Sequence, residues 1–317
     1  MNILVTGGAG FIGSHFVNQI KENNVVVLDA LTYAGDRKRL RNFNGTFIVG
    51  DIRNRDLLDE IFKSYAITHV VHFAAESHVD RSLIDHSIFL DTNVNGTHTV
   101  LEAADAYWST TTTQYEGKFF LHISTDEVYG GIEFGKQPVT EEASLKPANP
   151  YATSKAAADQ LVIGKMLGKR FPASIVRSSN NFGCNQHAEK LIPKVIHCLE
   201  NDLPIPVYGK GDQMRCWLFV EDYCKILYKL MDLHKVGEIF NVAGPSALRN
   251  IETVSILKLA YEKWVGKTDS FVTYVTDRKM HDVYYNMDAS KIMDVIGPFE
   301  FTNLEAYVKS GKIFDKG

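Results

Sequence analysis

No stretch of about 18 apolar residues occurs in this chain, and it opens as MNILVTGG, a strand pattern rather than a charged segment leading into a long apolar run. Neither membrane insertion nor secretion is expected, and the cytoplasm is the expected compartment. Cysteine is scarce. Cys184, Cys198, Cys216 and Cys224 show no C-x-x-C spacing, which favours reduced thiols over a disulfide framework and makes a metal site unexpected. Charge of one sign is lacking too: 34 Lys+Arg stand against 38 Asp+Glu, a net charge of -4, and no basic block has the density of a nucleic-acid-binding arm. A small anionic substrate remains compatible with this balance. Internal repeats, low-complexity tracts and a clear linker are also missing. What is there is an ordinary globular composition, 45% hydrophobic and 23% charged, in 317 residues, enough for two lobes around one cleft.

Short runs rich in Val, Ile and Phe alternate with helical patterns, the signature of β-α units around a parallel sheet. Strands are expected at 2–6, 25–29, 46–50, 69–74, 119–124 and 173–178, and their near-continuous apolar character means burial on both faces. Helices over 14–22, 55–65, 88–107 and 151–167 are long enough for the crossovers. After Arg177 the rhythm breaks. SSNNFGCNQHAEKLIP, LPIPVYGKGDQMR and 244–250 are polar, Gly/Pro-punctuated loops of the kind that carry binding. CWLFV and EIFNV, with a helix over 221–233 between them, read as a return to the sheet. Further helices are expected over 251–265, 289–296 and 303–310.

The strand NILVT runs into Gly7, Gly10 and Gly13 of TGGAGFIGS and then a helix. Glycines at such places allow a tight turn, close approach to a pyrophosphate and close packing of helix on strand, with the anion on the helix N-terminus. The spacing is G-x-x-G-x-x-G, and a purely structural turn is the plainer alternative. Asp29 ends the second strand about 20 residues on, where an acid accepts hydrogen bonds from the adenosine ribose and repels a 2'-phosphate. NAD is therefore expected rather than NADP. Arg37, Lys38 and Arg39 follow closely and are read as a solvated basic face. Asp51 in VGDIR either meets the adenine or caps the next helix.

The strand FFLHIS ends in Ser124-Thr125-Asp126-Glu127, and in open parallel sheets the carboxyl ends of strands face the ligand crevice. Two carboxylates there are costly unless used, although a capping pair at a turn is the bland reading. Downstream, Tyr151 and Lys155 have Y-x-x-x-K spacing on an expected helix, which places both on one face a turn apart. An ammonium beside a phenol lowers the phenol's pKa and makes it an accessible base.

Together with LTYAGD, AAESHVDRS, NPYATSKAAAD, RSSNNFG, AEKLIP, VYGKGDQMRCWLFVEDYC and TDRKMHDVYYNMDASK, these motifs make the chain resemble the extended short-chain dehydrogenases/reductases. Within that group it is similar, over nearly its whole length, to the dTDP-glucose 4,6-dehydratase family. The resemblance implies an α/β fold: a Rossmann-type parallel sheet flanked by helices, with a smaller mixed α/β substrate-binding lobe. Residues 1–176 would be the NAD-binding domain, 215–243 would return to it, and 177–214 with 244–317 would form the second lobe. It implies catalytic Thr125, Asp126, Glu127, Tyr151 and Lys155. Tyr151 and Lys155 would also border NAD, beside Gly7, Gly10, Phe11, Ile12, Gly13, Asp29, Asp51, Ile52 and Ala74. On the substrate side it implies Ser77, His78, Asn180, Asn181, Glu189, Lys190, Arg215, Asn250, Arg278 and His281, the two arginines on a diphosphate. Pro206 and Tyr208 would pack the base, or else simply belong to an edge strand. The implied substrate is a nucleotide-diphospho-hexose, dehydrated by a homodimer built on helices 88–107 and 151–167.

Four stretches depart from the family pattern, all on the substrate side: Cys184-Asn185-Gln186-His187-Ala188, Cys216, Lys279-Met280 and Val283-Tyr284. The chemistry is thus read more firmly than thymidine against uridine or glucose against an amino-sugar. A 4-epimerase or a decarboxylase would share the loop, the tyrosine and the lysine. Asp126-Glu127 is the feature that speaks against both, and an intact Thr125, Tyr151 and Lys155 speaks against an inactive NAD-binding scaffold.

Overall fold

In the computed structural model, residues 1–20, 24–41, 43–277 and 282–314 are described. Seven parallel strands form the main sheet: β1 (Asn2–Thr6), β2 (Asn24–Asp29), β3 (Thr46–Val49), β4 (His69–His72), β5 (Phe119–Thr125), β6 (Ala173–Ser178) and β10 (Ile239–Val242), in the order β10-β6-β5-β4-β1-β2-β3. The chain runs outward from β1 to β3, then crosses back to β4 and proceeds the other way. Between β1 and β4 the two crossovers leave on opposite sides, and that reversal opens a crevice at the carboxyl ends of the strands.

Strand alternation explains the apolar runs. Ile3 and Val5 project into one core with Phe16, Leu121 and Leu227, whereas Leu4 projects into another with Val26, Phe62, Val100 and Phe120. Each face is covered by helices, so both sets of side chains leave water. Phe11–Gln19 and Val220–Asp232 cover the first face, and Arg55–Ser64 and Thr97–Thr110 the second. The expected helix over 88–107 is interrupted: Ser87–Phe89 leads into a π-helical segment, Leu90–Gly96, before Thr97–Thr110. Such wide turns gather at functional sites. Here the buried Asn93 accepts from the Glu76 N–H (2.8 Å) and donates to the Glu76 carbonyl (3.0 Å), pinning the segment that follows β4.

One expectation about the sheet is corrected. CWLFV does not rejoin the parallel sheet: β9 (Met214–Phe219) sits between β7 (Asn180–Phe182) and β11 (Ser246–Arg249) in a separate three-stranded mixed sheet. Of 215–243, Val220–Asp232 and β10 return to the main layer, and Ser290–Ile296 packs there too through Ile292 and Ile296. A further parallel pair joins β8 (Ile205–Tyr208) to β12 (Val272–Val275). A third core, with Phe182, Ile192, Leu199, Trp217, Leu257 and Leu304, holds these smaller sheets against helices Leu191–Glu200 and Asn250–Trp264.

Candidate active site

At the crevice, the glycine loop is built for close approach. Gly7 has φ +70, and a Cβ there would stand 2.6 Å from the Ala74 nitrogen. At Gly13 a Cβ would stand 2.3 Å from the Gly7 carbonyl oxygen. Helix Phe11–Gln19 begins at Gly10 with no side-chain cap and no acid in its first turn, so its free N–H groups face an anion site. A cavity of about 340 Å³ opens over this loop, bordered by Gly7, Gly10, Phe11, Ile12, Gly13, Asp29, Asp51, Ile52, Ala74, Tyr151 and Lys155. An elongated cofactor carrying a pyrophosphate fits a loop whose backbone packs too closely to admit a Cβ at Gly7 or Gly13. Gly13→Ala is expected to weaken NAD binding at least about 10-fold, because the new methyl must displace backbone; isothermal titration with NAD checks it, and unchanged affinity would remove the glycines from the site.

Asp29 holds the loop as well as bordering the cavity. Its Oδ2 accepts from Ala9 N (2.9 Å) and its Oδ1 from Leu31 N (2.8 Å). Asp51 forms a chelated pair with Arg53, 2.7 Å between Oδ2 and Nη2, and helix Arg55–Ser64 is capped instead by Asn54. The capping alternative for Asp51 is thus excluded. The basic run is not one solvated face: Arg37 lies over the Phe47 ring, Lys38 is exposed, and Arg39 turns inward, lining the cavity and donating to the Ala34 carbonyl.

Across the crevice, β5 delivers Thr125 at its end and Asp126–Tyr129 follow as a 3₁₀ turn. Thr125 supplies the cap, Oγ1 accepting from Glu127 N (3.3 Å) while donating to Asp126 Oδ1 (3.1 Å). The two acids are therefore not the capping pair. Asp126 is 3% exposed and its Oδ2 has no hydrogen-bond partner among the described residues. Burial first, then the Glu127 charge, pushes its carboxyl up to about 7. Burial also raises Glu127, but Asn149 Nδ2 donates to Glu127 Oε2 (3.0 Å) and favours the ionised form. Both carboxyls are thus raised, with burial and the Glu127 charge favouring the neutral form of Asp126 and the Asn149 hydrogen bond opposing the rise at Glu127.

Tyr151 and Lys155 stand on helix Pro150–Lys169. Proline opens this helix at N1, where its missing N–H costs nothing, and Asn149 caps it by accepting from Ala152 N (2.8 Å). Lys155 is 4% exposed and donates to the Ile123 carbonyl (2.7 Å). The expected lowering of the phenol's pKa is not found. Burial, then the Glu127 charge, holds Tyr151 above the ordinary phenol range, and a hydrogen bond with Thr125 opposes them.

A second cavity of about 360 Å³ adjoins the first and shares Glu127, Asn180, Gln186, Glu189 and Lys190 with it. His78, Pro206, Tyr208, Arg215 and Asn250 line this second space, and Ser77 and Asn181 line the first. The fold thus sets Thr125, Asp126 and Tyr151 on a dinucleotide-sized cleft and Glu127 at its junction with a second pocket of mixed charge, where Lys190, Lys194 and Arg215 stand among Asp80, Glu189 and Asp282. Over residues 4–310 the sequence matches the family model described as GDP-mannose 4,6 dehydratase. The chain belongs to that family of 4,6-dehydratases. It is 43% identical over 311 residues to a dTDP-glucose 4,6-dehydratase of Neisseria gonorrhoeae, covering 93% of this chain and 90% of that protein. To the low-salt glycan biosynthesis protein Agl12 of Haloferax volcanii it is 44% identical over 299 residues, 92% and 91% of the two chains. The crystal structure of the dTDP-glucose 4,6-dehydratase DesIV from Streptomyces venezuelae, with NAD bound, superposes with a TM-score of 0.89 at 37% identity over 98% of this chain and 95% of that one. A UDP-glucose 4-epimerase from Thermus thermophilus, 24% identical with a TM-score of 0.86, covers 98% of this chain and 97% of its own and shares the fold.

Within this dehydratase framework some predicted substrate residues are otherwise engaged. The Arg215 guanidinium lies over the Tyr285 ring, 4.5 Å from its centroid, and donates to the carbonyls of Met214 (2.8 Å), Asp282 (3.0 Å) and Val283 (3.3 Å). Its charge opposes the upward shift of both Asp126 and Glu127. Lys190 Nζ donates to the Ser77 carbonyl (2.9 Å), and His78 Nε2 lies 3.1 Å from Glu189 Oε2. Pro206 and Tyr208 belong to β8, and Tyr208 still faces the second cavity. Arg278 and His281, with Lys279-Met280, lie outside the described residues. Residues not foreseen from sequence are Asn149, Asp282 and Tyr285, which border the second cavity, and Glu76, which borders the first. Of these only Asn149 had a readable signal, an Asn before a proline that opens a helix.

Proposed function

We propose that the protein is an NAD-dependent nucleotide-sugar 4,6-dehydratase that converts dTDP-glucose or UDP-glucose to the 4-keto-6-deoxy sugar nucleotide. The observation that carries this reading is the placement of Glu127, which borders both cavities within one short turn of Thr125 and Asp126. A sugar lying across that junction would meet Tyr151, Thr125 and Asp126 in the first cavity and Glu127 between the two. Gly7, Gly10 and Gly13 would hold NAD, which when bound would supply the redox chemistry, a hydride accepted from C4 and given back at C6.

The residues do the proton work. Tyr151 in its phenolate form, stabilised by the positive charge of Lys155, accepts the C4 hydroxyl proton and becomes the phenol, and Thr125 hydrogen-bonds the same oxygen. The 4-ketone acidifies the C5 hydrogen. Glu127, whose ionised form the Asn149 amide favours, removes it, while Asp126 supplies its proton to the departing C6 hydroxyl. Water leaves, and the same carboxyl of Glu127 returns a proton to C5. The pocket lined by His78, Asn180, Lys190, Tyr208, Arg215 and Asn250 would hold the nucleotide diphosphate, and 177–214 with 244–317 would form the substrate lobe around it. Ile84, Leu90 and Leu167, on or beside helices 87–110 and 150–169, expose apolar surface that suits a homodimer, which sedimentation would detect. The cytoplasm is the proposed compartment.

Incubation with a panel of thymidine and uridine diphospho-hexoses tests the reading. The expected result is a product with the alkaline absorbance of a 4-keto-6-deoxy sugar. Recovery of the galacto epimer alone would establish an epimerase, release of carbon dioxide from a uronic acid a decarboxylase, and no turnover with any sugar nucleotide a non-enzyme.

A further inference from the structure

The helix that carries the tyrosine and lysine continues their row one turn further. Tyr151, Lys155 and Asp159 are spaced i, i+4 and i+8 on one face of Pro150–Lys169. Asp159 is fully buried, under the sheet and away from both cavities. A buried carboxylate needs partners, and two strands provide them. Arg177 of β6, 2% exposed, donates from Nε to Asp159 Oδ2 (2.9 Å) and from Nη1 to the Tyr129 hydroxyl (2.7 Å). From β5, His122 Nε2 lies 3.4 Å from Asp159 Oδ1. Behind it, His72 of β4 stacks on His122 with ring centroids 5.6 Å apart.

An ion pair between Arg177 and Asp159 alone would be a structural strut. The charges around Lys155 argue for more. Its ammonium donates to the neutral Ile123 carbonyl on β5, and the groups that face it from the strands are imidazoles and, beyond Asp159, a guanidinium. Burial, then the Lys155 charge, pushes His122 down to about 4, and burial, then His122 and Lys155, takes His72 well below its ordinary value. Both rings are therefore neutral at pH 7. Asp159 is left as the anion that supports the lysine. Burial opposes its ionisation, but His122, Arg177 and Lys155 together keep its carboxyl below the ordinary range. Lys155 itself is lowered to about 8 by burial, with Asp159 opposing.

We propose that Asp159 is a positioning residue for catalysis: clamped by Arg177, it acts through Lys155 to keep that side chain an ammonium, and so keeps Tyr151 able to shed its proton. The inference rests on the proposed role of Tyr151 and Lys155, but it concerns a group that touches neither sugar nor cofactor.

Two readouts separate this role from a structural one. In the first, a small amine-directed reagent is applied across a pH series to the protein without added cofactor, and mass spectrometry follows modification of the Lys155 peptide. The second follows bound NADH formed on mixing with substrate. Asp159→Asn is expected to move both the labelling midpoint and the alkaline limb of NADH formation toward acid by about one pH unit or more. Asp159→Glu should restore both. Because a lone buried guanidinium can block folding, Asp159→Asn/Arg177→Gln removes the pair together, and the same acid shift is expected. A rate lowered equally at every pH, with the labelling midpoint unmoved, would overturn the inference and leave Asp159 a strut. Wild-type protein that forms no NADH would instead overturn the proposed chemistry, and the labelling midpoint would still decide the role of Asp159.

Discussion

Replacing Glu127 with Gln is expected to leave the first half of the reaction running and to stop the second. C4 oxidation uses Tyr151, Thr125 and Lys155, none of which loses a hydrogen bond in this substitution, since the Gln side chain can still meet the Asn149 amide through its carbonyl oxygen. Removal of the C5 hydrogen needs a base, and an amide is not one. Loss of a positioned base costs roughly 10²–10⁴-fold, so bound NADH should accumulate while the 4-keto-6-deoxy product falls by that factor. Full turnover by this variant would show that Glu127 is not the base. The same pair of acids sets the pH dependence of elimination in the wild type. Asp126 must hold a proton to donate it, so its contribution is present below about 7 and lost as pH rises through that value. Glu127 must be ionised, so its contribution is lost on the acid side as pH falls through its raised pKa. A bell-shaped profile with a narrow summit is expected, and in Asp126→Asn the alkaline limb assigned to Asp126 should disappear along with most of the rate.

Tyr151→Phe is expected to fail earlier. The phenol sits against Thr125 and close to the two acids, which the proposed elimination uses at C5 and C6. Bound NADH should not form, and rapid mixing should show initial oxidation lowered by roughly 10²–10⁴-fold. Undiminished oxidation would remove the tyrosine from its role. Because Tyr151 is held above the ordinary phenol range by burial and by Glu127, Glu127→Gln also removes a charge that opposes its ionisation. The first step in that variant should therefore run at least as fast as in the wild type, which the same experiment reads.

Most of the nucleotide-binding half was legible because its signals are local. β1 and β6 fall where the apolar runs end, and the glycine loop, Asp29 and the Tyr151–Lys155 spacing each act within a few residues of their neighbours. CWLFV was misplaced for the opposite reason. An apolar run announces a strand but not its partner, and β9 pairs with β7 about 35 residues earlier and with β11 about 30 later, in register with neither the main sheet nor its spacing. Arg215 shows the same limit: nothing in its sequence neighbourhood reveals that Tyr285, 70 positions on, lies beneath its guanidinium. Asp159 was readable as an i+8 position but not as a buried anion, because its partners Arg177 and His122 come from two different strands.

Asn149 has an implication for how this enzyme can be altered. Its carbonyl oxygen starts the helix that bears one proton acceptor, and its amide nitrogen holds the other acceptor in place. The two halves of the chemistry are thereby mechanically geared: a shift in the helix origin drags the carboxylate with it. Attempts to retune one step by moving either group will disturb its counterpart, so swapping chemistries on this scaffold calls for changing the acids themselves rather than the way they are mounted.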